Sequence, residues 1–271
     1  MNKKIIIVLC MLFISANLGF ASGNEYKTAN TFVRVTTNML GYNWVAKKVA
    51  QSVLKRTLNK SVKGDYKVKF DSFSGVDLKK GKFRGLYIEG ANLCADNELY
   101  ISKIKLKTIN DFNYVDYRKD PLVFKTDVPM SYDVEITEDN LNKMLSAGKS
   151  FETFSNLIPL VTIKTPSVKI SDDKIRMSSS LKLPFGKTIK FTMTGGLKVE
   201  NGKIVFTDVK TSNSKNEFVE KMVNLINNQN VLENINMDLF DGADTKMAID
   251  KVYIKDKTVY VNGNILIKKA E

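Results

Sequence analysis

Residues 122–136 read LVFKTDVPMSYDVEI, and every second side chain in this run is apolar or a threonine. One side of the run carries Leu122, Phe124, Thr126, Val128, Met130, Tyr132, Val134 and Ile136, and the other carries Lys125, Asp127, Ser131, Asp133 and Glu135. A period of two predicts a β-strand with one buried face. Extended from Pro121 to Thr137, the strand would be about 50 Å long. A strand of this length predicts the wall of an elongated apolar trough. Because proline in a strand belongs at an edge or bulge, we expect the strand either to bend at Pro129 or to border the opening of the trough there.

A helix is predicted upstream, over residues 43–59. Its apolar side chains form two neighbouring rows at helical spacing, Val45, Val49 and Val53 in one and Ala46, Ala50, Leu54 and Leu58 in the other, opposite Lys47, Lys48, Gln51, Lys55 and Arg56. This pattern is typical of an amphipathic helix. We expect the helix to cover the apolar face of the sheet.

The rest of the chain favours strands over helices. Alternating segments predict strands over 66–70, 82–91, 98–109, 160–170, 174–183, 187–199, 203–209, 246–255 and 258–268, with turns at 171–173, 184–186, 201–202 and 256–257. Short helices are predicted after Thr137, over 150–158, and after the capping box of Ser214 and Glu217. The predicted fold class is α+β. Its architecture is a long curved antiparallel β-sheet wrapped around the long amphipathic helix, an elongated half-barrel with an apolar groove or channel.

The N-terminus predicts export. Lys3 and Lys4 precede an apolar run over 5–14, and small residues frame a cleavage position after Ala21. This is the pattern of a secretory signal peptide, residues 1–21. Residues 22–271 are then a single elongated domain, soluble after cleavage, in the periplasm or cell envelope.

Composition removes several classes of function. The chain has no histidine, and beyond the leader Cys94 is its only cysteine, so an intrachain disulfide and the usual general base are both excluded. The formal net charge is +13, which favours anionic partners. Only five of the 42 basic residues are arginines, the residue that phosphate and base recognition most often uses, so no nucleic acid is expected. The lysines either line solvated faces or meet a membrane surface.

No catalytic or metal motif stands out. Ser52 with Lys55 and Ser146 with Lys149 have the spacing of a serine–lysine dyad, but a lysine-rich chain makes such matches by chance. Asp238, Asp241 and Asp244 fit no calcium-loop register and indicate a polar turn. No cofactor, no metal and no enzymatic activity are therefore predicted. Tyr42 and Trp44 either pack the helix on the sheet, close one end of the trough or lie at a membrane interface.

Three segments carry a family resemblance: DSFSGVDL at 71–78, GKFRGLYI at 81–88 and ITEDNLN at 136–142. With the hairpin at Asn201 and Gly202, they resemble the LmeA-like phospholipid-binding family over about residues 31–268 in the order and spacing of their elements. The resemblance implies an exported, tubular-lipid-binding type of fold with a channel for phospholipid chains. It has no catalytic signature and assigns no single residue.

We therefore expect an exported phospholipid-binding or lipid-transfer protein of the cell envelope, which holds acyl chains in an apolar groove. Its partners would be a phospholipid or other acyl lipid and an anionic membrane surface. The predicted lining residues are Val45, Val49, Val53, Ile104, Leu106, Phe124, Val128, Met130, Tyr132 and Val134. The alternative is a structural or scaffolding envelope protein with a closed core and no ligand.

Overall fold

The computed structural model describes residues 27–116, 123–147, 162–163, 166–182, 186, 188–212, 219–220, 223 and 245–270. Its helices are α1 (Thr31–Met39), α2 (Tyr42–Ser61), α3 (Gly75–Lys79) and α4 (Glu138–Ser146). Its strands are β1 (Lys63–Asp71), β2 (Lys82–Phe83), β3 (Gly85–Ala95), β4 (Leu99–Thr108), β5 (Asn113–Asp116), β6 (Val123–Phe124), β7 (Val128–Thr137), β8 (Thr162–Ile163), β9 (Ser167–Ser171), β10 (Lys174–Lys182), β11 (Thr188–Glu200), β12 (Lys203–Thr211), β13 (Thr245–Lys255) and β14 (Thr258–Ile267). The protein is a mixed α+β fold of mostly antiparallel sheet.

The main sheet has six strands in the order β1-β3-β4-β7-β14-β13, all antiparallel. Its two faces differ sharply in polarity. One row of paired residues across the six strands is Val68, Ile88, Leu106, Tyr132, Gly263 and Ile249, and the neighbouring row is Lys67, Glu89, Lys105, Asp133 and Asn262. The charged row lies on the outer face, where opposite charges on adjacent strands attract one another and the side chains meet water. The apolar row lies on the inner face, which forms the core.

The prediction of a single long strand from Pro121 to Thr137 is wrong. The described part of this segment contains two strands that belong to different sheets: β6 pairs with β5 in a three-stranded sheet, and β7 lies between β4 and β14 in the main sheet. Residues 125–127 separate them. The break leaves the alternation in phase, so Phe124 and Val128 are both buried and the period of two does not reveal it. Pro121 and Leu122 lie outside the described residues.

Pro129 lies within β7 and is paired with Leu266 of β14 without a shift of register. The carbonyl oxygen of Pro129 accepts a hydrogen bond of 2.9 Å from the amide of Ile109, just beyond the end of β4. The strand is thus interrupted before Val128, and not at the proline. Proline has no amide proton to donate to a neighbouring strand. It is tolerated at position 129 because the missing hydrogen bond would lie at the end of β4.

Helix α2 covers the residues where a helix was expected, but it does not pack against the centre of the main sheet. The helix packs on the edge strand β1 and on α3. Its buried residues are Leu54 and Leu58, from the second of the two predicted rows. Val45 and Val49 of the first row are exposed, because that row lies on the far side from β1.

A second sheet, β12-β11-β10-β8 with β9 also paired to β10, contacts the main sheet through β11 and β13. Turns confirm the expectations at 171–173 and 201–202 in the second sheet and at 256–257 in the main sheet, where residues such as Asp172, Asn201 and Asp256 have positive φ. Asn201 and Gly202 both have positive φ, as a tight two-residue hairpin requires. The helix expected over 150–158 and the capping box of Ser214 and Glu217 lie outside the described residues.

Candidate functional site

The predicted lining residues fall into three environments. Five of them, Leu106, Phe124, Val128, Met130 and Tyr132, are buried in the core cluster. Ile104, Val134 and Val53 are half-buried, and Val45 and Val49 are exposed on α2. The structure therefore brings the sheet residues together on one inner face, with Phe124 contributed by the small sheet. It leaves two of the helix residues facing away from them.

The buried part of this inner face is closely packed around Tyr132. The Tyr132 side chain is 2 % exposed and crosses above Gly263 on β14, where a side chain would collide with its hydroxyl. Its hydroxyl donates a hydrogen bond of 3.1 Å to the carbonyl oxygen of Ala248 on β13. Burial raises the pKa of Tyr132, so the hydroxyl keeps its proton. This region is side-chain core.

The other part of the inner face is less enclosed, and we call it the half-buried strip: Tyr66, Ile104, Val134 and Ile136 of the main sheet with Leu141 and Leu145 of α4. Tyr66, Gly90, Ile104 and Val134 follow one another across four paired strands. Gly90 is closely covered by its neighbours, because a Cβ there would lie 3.0 Å from a side-chain atom of Leu93 and 3.1 Å from atoms of both Tyr66 and Ile104. The strip is apolar along its length.

Tyr66 closes the strip on the side of α2. Its hydroxyl donates to the carbonyl oxygen of Val62 at 3.0 Å. Burial raises the pKa of Tyr66 to about 12. The hydroxyl is therefore uncharged at physiological pH and adds no anion to an apolar surface.

Helix α4 joins the main sheet to the second sheet beside this strip. Its capping box pairs Thr137 with Asn140, and the Ser102 hydroxyl of β4 also contacts the Asn140 side chain. On its other side, the side-chain nitrogen of Asn142 donates to the carbonyl oxygen of Val168 at 2.8 Å, and its side-chain oxygen accepts from the backbone amide of Val168 at 2.7 Å. The Glu138 carboxylate accepts from the amide of Ile170 at 2.7 Å. Side chains of α4 thus make the hydrogen bonds with the edge of β9 that a neighbouring strand would otherwise make.

Two clefts lie outside the inner face. One, of about 440 Å³, lies on the outward side of α2 and is lined by Ser52, Lys55, Arg56, Asn59 and Lys60. The other, of about 390 Å³, is lined by Asn97, Tyr100, Asn142, Lys143, Ser146 and Ala147. The first cleft contains the Ser52–Lys55 pair, with both side chains exposed. In the second, the Ser146 hydroxyl donates to the carbonyl oxygen of Asn142 at 2.8 Å, and Lys149 lies outside the described residues.

The described part of the chain contains no group of three or more Cys, Asp or Glu side chains placed to hold a metal ion. Asp238, Asp241 and Asp244 lie outside it.

Sequence reasoning missed an exposed apolar surface on α1 and the start of α2. Phe32, Val35 and Met39 lie on one face of α1 and are all exposed. Their spacing of three and four residues was the signal that could have found this helix. Trp44 is 67 % exposed, so it does not pack α2 on the sheet, whereas Tyr42 is half-buried beside Gly75.

Among the residues described, no helix combines the length and the apolar character needed to cross a membrane. No protein-family model, no curated protein and no solved structure matches the chain.

Proposed function

We propose that this chain is an exported phospholipid-binding or lipid-transfer protein of the cell envelope, which holds acyl chains against the inner face of its main sheet. The observation that supports the proposal is the half-buried strip, which stays apolar across four strands and onto α4. In this proposal the sheet curves around its helices as an elongated half-barrel, as the resemblance to the LmeA-like family implies. The proposed activity is binding, without catalysis.

Binding of this kind needs no specific headgroup contact. Each buried methylene contributes about 0.8 kcal/mol, so ten methylenes along the strip contribute about 8 kcal/mol before the cost of ordering the chain. The uncharged side chains of the strip, including the neutral Tyr66 hydroxyl, avoid the desolvation cost that a charged lining would impose. Export follows from the leader predicted at residues 1–21.

A second candidate function is a scaffolding protein whose interior is closed. It is favoured by the burial of Leu106, Met130 and Tyr132, which are packed against other side chains where a lipid was expected. Both clefts described above are lined mainly by polar side chains. A closed core predicts a protein that contains no lipid and takes none up.

The test is mass spectrometry of the intact protein and of its organic extract after mild purification. We expect about one phospholipid per chain, and reloading of the extracted protein from vesicles. Protein that is consistently free of lipid and takes up none would establish the scaffold instead.

Val134→Phe locates the bound lipid. The added ring fills the strip beside Ile104, its paired neighbour, so we expect several-fold less lipid with a similar unfolding midpoint. Val205→Phe is the matched control, because Val205 is also a half-buried strand valine but is not part of the core cluster. Equal loss of lipid in both variants would mean that the strip is not the binding site.

A further inference from the structure

The exposed large apolar side chains in the described part of the chain are concentrated in one segment. Of the eight large hydrophobic residues that are exposed in the described part of the chain, seven lie between Phe32 and Val49, and the eighth is Ile109. The seven are Phe32, Val35, Met39, Leu40, Trp44, Val45 and Val49. Met39 is 84 % and Trp44 is 67 % exposed. Single exposed apolar residues are ordinary, but a cluster of this size marks an interaction surface.

Helix α1 is attached to the protein by polar groups, the reverse of the usual arrangement. The carboxylate of Asp77 is buried and accepts a hydrogen bond of 2.6 Å from the amide of Ala29, just before the helix. The Arg34 Nε atom lies 3.7 Å from the same carboxylate. No residue of α1 is buried. Polar contacts thus hold the helix in place, and its apolar face remains available.

The charge of this region indicates the partner. Residues 27–61 contain seven basic residues and no aspartate or glutamate. On the outward side of α2, Trp44, Val45 and Val49 are followed by Lys55, Arg56 and Lys60, which line the cleft. The ammonium of Lys48 lies 5.8 Å from the centre of the Trp44 ring. Exposed apolar side chains with a tryptophan, beside cations and without acids, form a surface that suits the interface of an anionic bilayer.

We infer that α1 and α2 dock onto an anionic lipid bilayer through one surface, the helical surface, made of these seven apolar residues with Lys48, Lys55, Arg56 and Lys60. The apolar side chains enter the headgroup boundary, and the cations pair with lipid phosphates. Each basic residue close to such a surface strengthens binding roughly fivefold. Docking is separate from the proposed lipid cargo, because vesicle binding reports the helical surface and lipid extraction reports the half-buried strip.

Trp44 supplies the measurement, since it is the only tryptophan in the chain. Purified protein is titrated with vesicles made of equal parts phosphatidylglycerol and phosphatidylcholine, and with vesicles of phosphatidylcholine alone. We expect a blue shift of the Trp44 emission and quenching by brominated acyl chains on the anionic vesicles. High salt should weaken binding strongly, because screening removes the electrostatic part.

Two pairs of variants separate the apolar and electrostatic contributions. Phe32→Ser with Met39→Ser should weaken vesicle binding by about tenfold or more, whereas Ile109→Ser, at the eighth exposed position, should not change it. The charge variant carries Lys48→Gln, Lys55→Gln and Arg56→Gln, and its control removes the same charge from the outer face of the sheet with Lys67→Gln, Lys69→Gln and Lys107→Gln. We expect the first of these to lose at least tenfold in affinity and its control to lose much less.

Unchanged Trp44 emission on anionic vesicles would overturn the inference, as would equal losses in a variant and its control. A dimer in light scattering that Phe32→Ser with Met39→Ser dissolves would also overturn it, because a second copy would then cover the surface. The substituted side chains are all exposed, so unfolding midpoints should remain close to that of the unchanged protein.

Discussion

Gly263 and Tyr132 show how one residue allows the inner face of the main sheet to close. A Cβ at position 263 would collide with the carbonyl oxygen of Ala248 and lie 2.5 Å from the Tyr132 hydroxyl oxygen. The glycine therefore makes space for the Tyr132 ring to cross over strand β14. The hydroxyl of that ring then reaches β13 and satisfies the carbonyl oxygen of Ala248.

Gly263→Ala should destabilise the protein by about 2 kcal/mol or more, because the backbone of β13 and the buried tyrosine must both move. Urea unfolding measures the change. Gly85→Ala is the control, since a Cβ at position 85 would make only ordinary contacts of 3.7 Å. A similar loss of stability in both variants would show that crowding at Tyr132 is not responsible.

Helix α4 connects the main sheet to the second sheet beside the half-buried strip. It contacts β4 and β7 of the main sheet and β9 of the second sheet. The Asn142 side chain makes two hydrogen bonds with the backbone of Val168, so one side chain pairs with a strand edge as a neighbouring strand would. A strand edge left without partners would be exposed to water or to another chain.

Asn142→Ala should cost about 1 to 3 kcal/mol, because the amide and carbonyl of Val168 lose their partners in a partly buried position. We expect faster hydrogen exchange at the Val168 amide and a lower midpoint of urea unfolding. Ser146→Ala, which removes an exposed hydroxyl one turn further along α4, should leave both unchanged. Unaltered exchange at Val168 in Asn142→Ala would contradict this role.

At the scale of the whole molecule, polarity is divided between surfaces. The outer face of the main sheet alternates lysines with acids, so much of its charge is balanced locally. Residues 27–61 carry seven of the 42 basic residues and none of the 29 acids, which leaves the helices with a surplus of positive charge. The apolar interior lies on the opposite face of the sheet.

A lipid bound along the half-buried strip should contribute to stability, because a ligand that binds only the folded state stabilises it by mass action. Extraction of the lipid should lower the free energy of unfolding by about 3 kcal/mol if the ligand had been present near one hundred times its dissociation constant. Chemical unfolding before and after extraction measures this. Reloading from vesicles should restore the difference, and equal stability of the two forms would contradict a stabilising cargo.

Sequence alone predicted the features that depend on near neighbours. The alternation of residues 128–136 placed Met130 and Tyr132 on a buried face, and Asn201 with Gly202 marked a tight hairpin. The N-cap at Thr137 was also predictable, because capping involves residues within one turn. The sheet residues of the candidate site followed from the same alternation.

Tertiary structure decided the features that depend on distant contacts. Phe124 and Met130 share one alternating pattern, yet the first belongs to the small sheet and the second to the main sheet, because pairing is chosen by strands far away in sequence. The two apolar rows of α2 are equivalent in the sequence, and contact with β1 buries only one of them. The anchoring of α1 by Asp77 left Met39 exposed, which no local pattern could indicate. Local spacing thus determined which residues share a face, and long-range packing determined what each face meets.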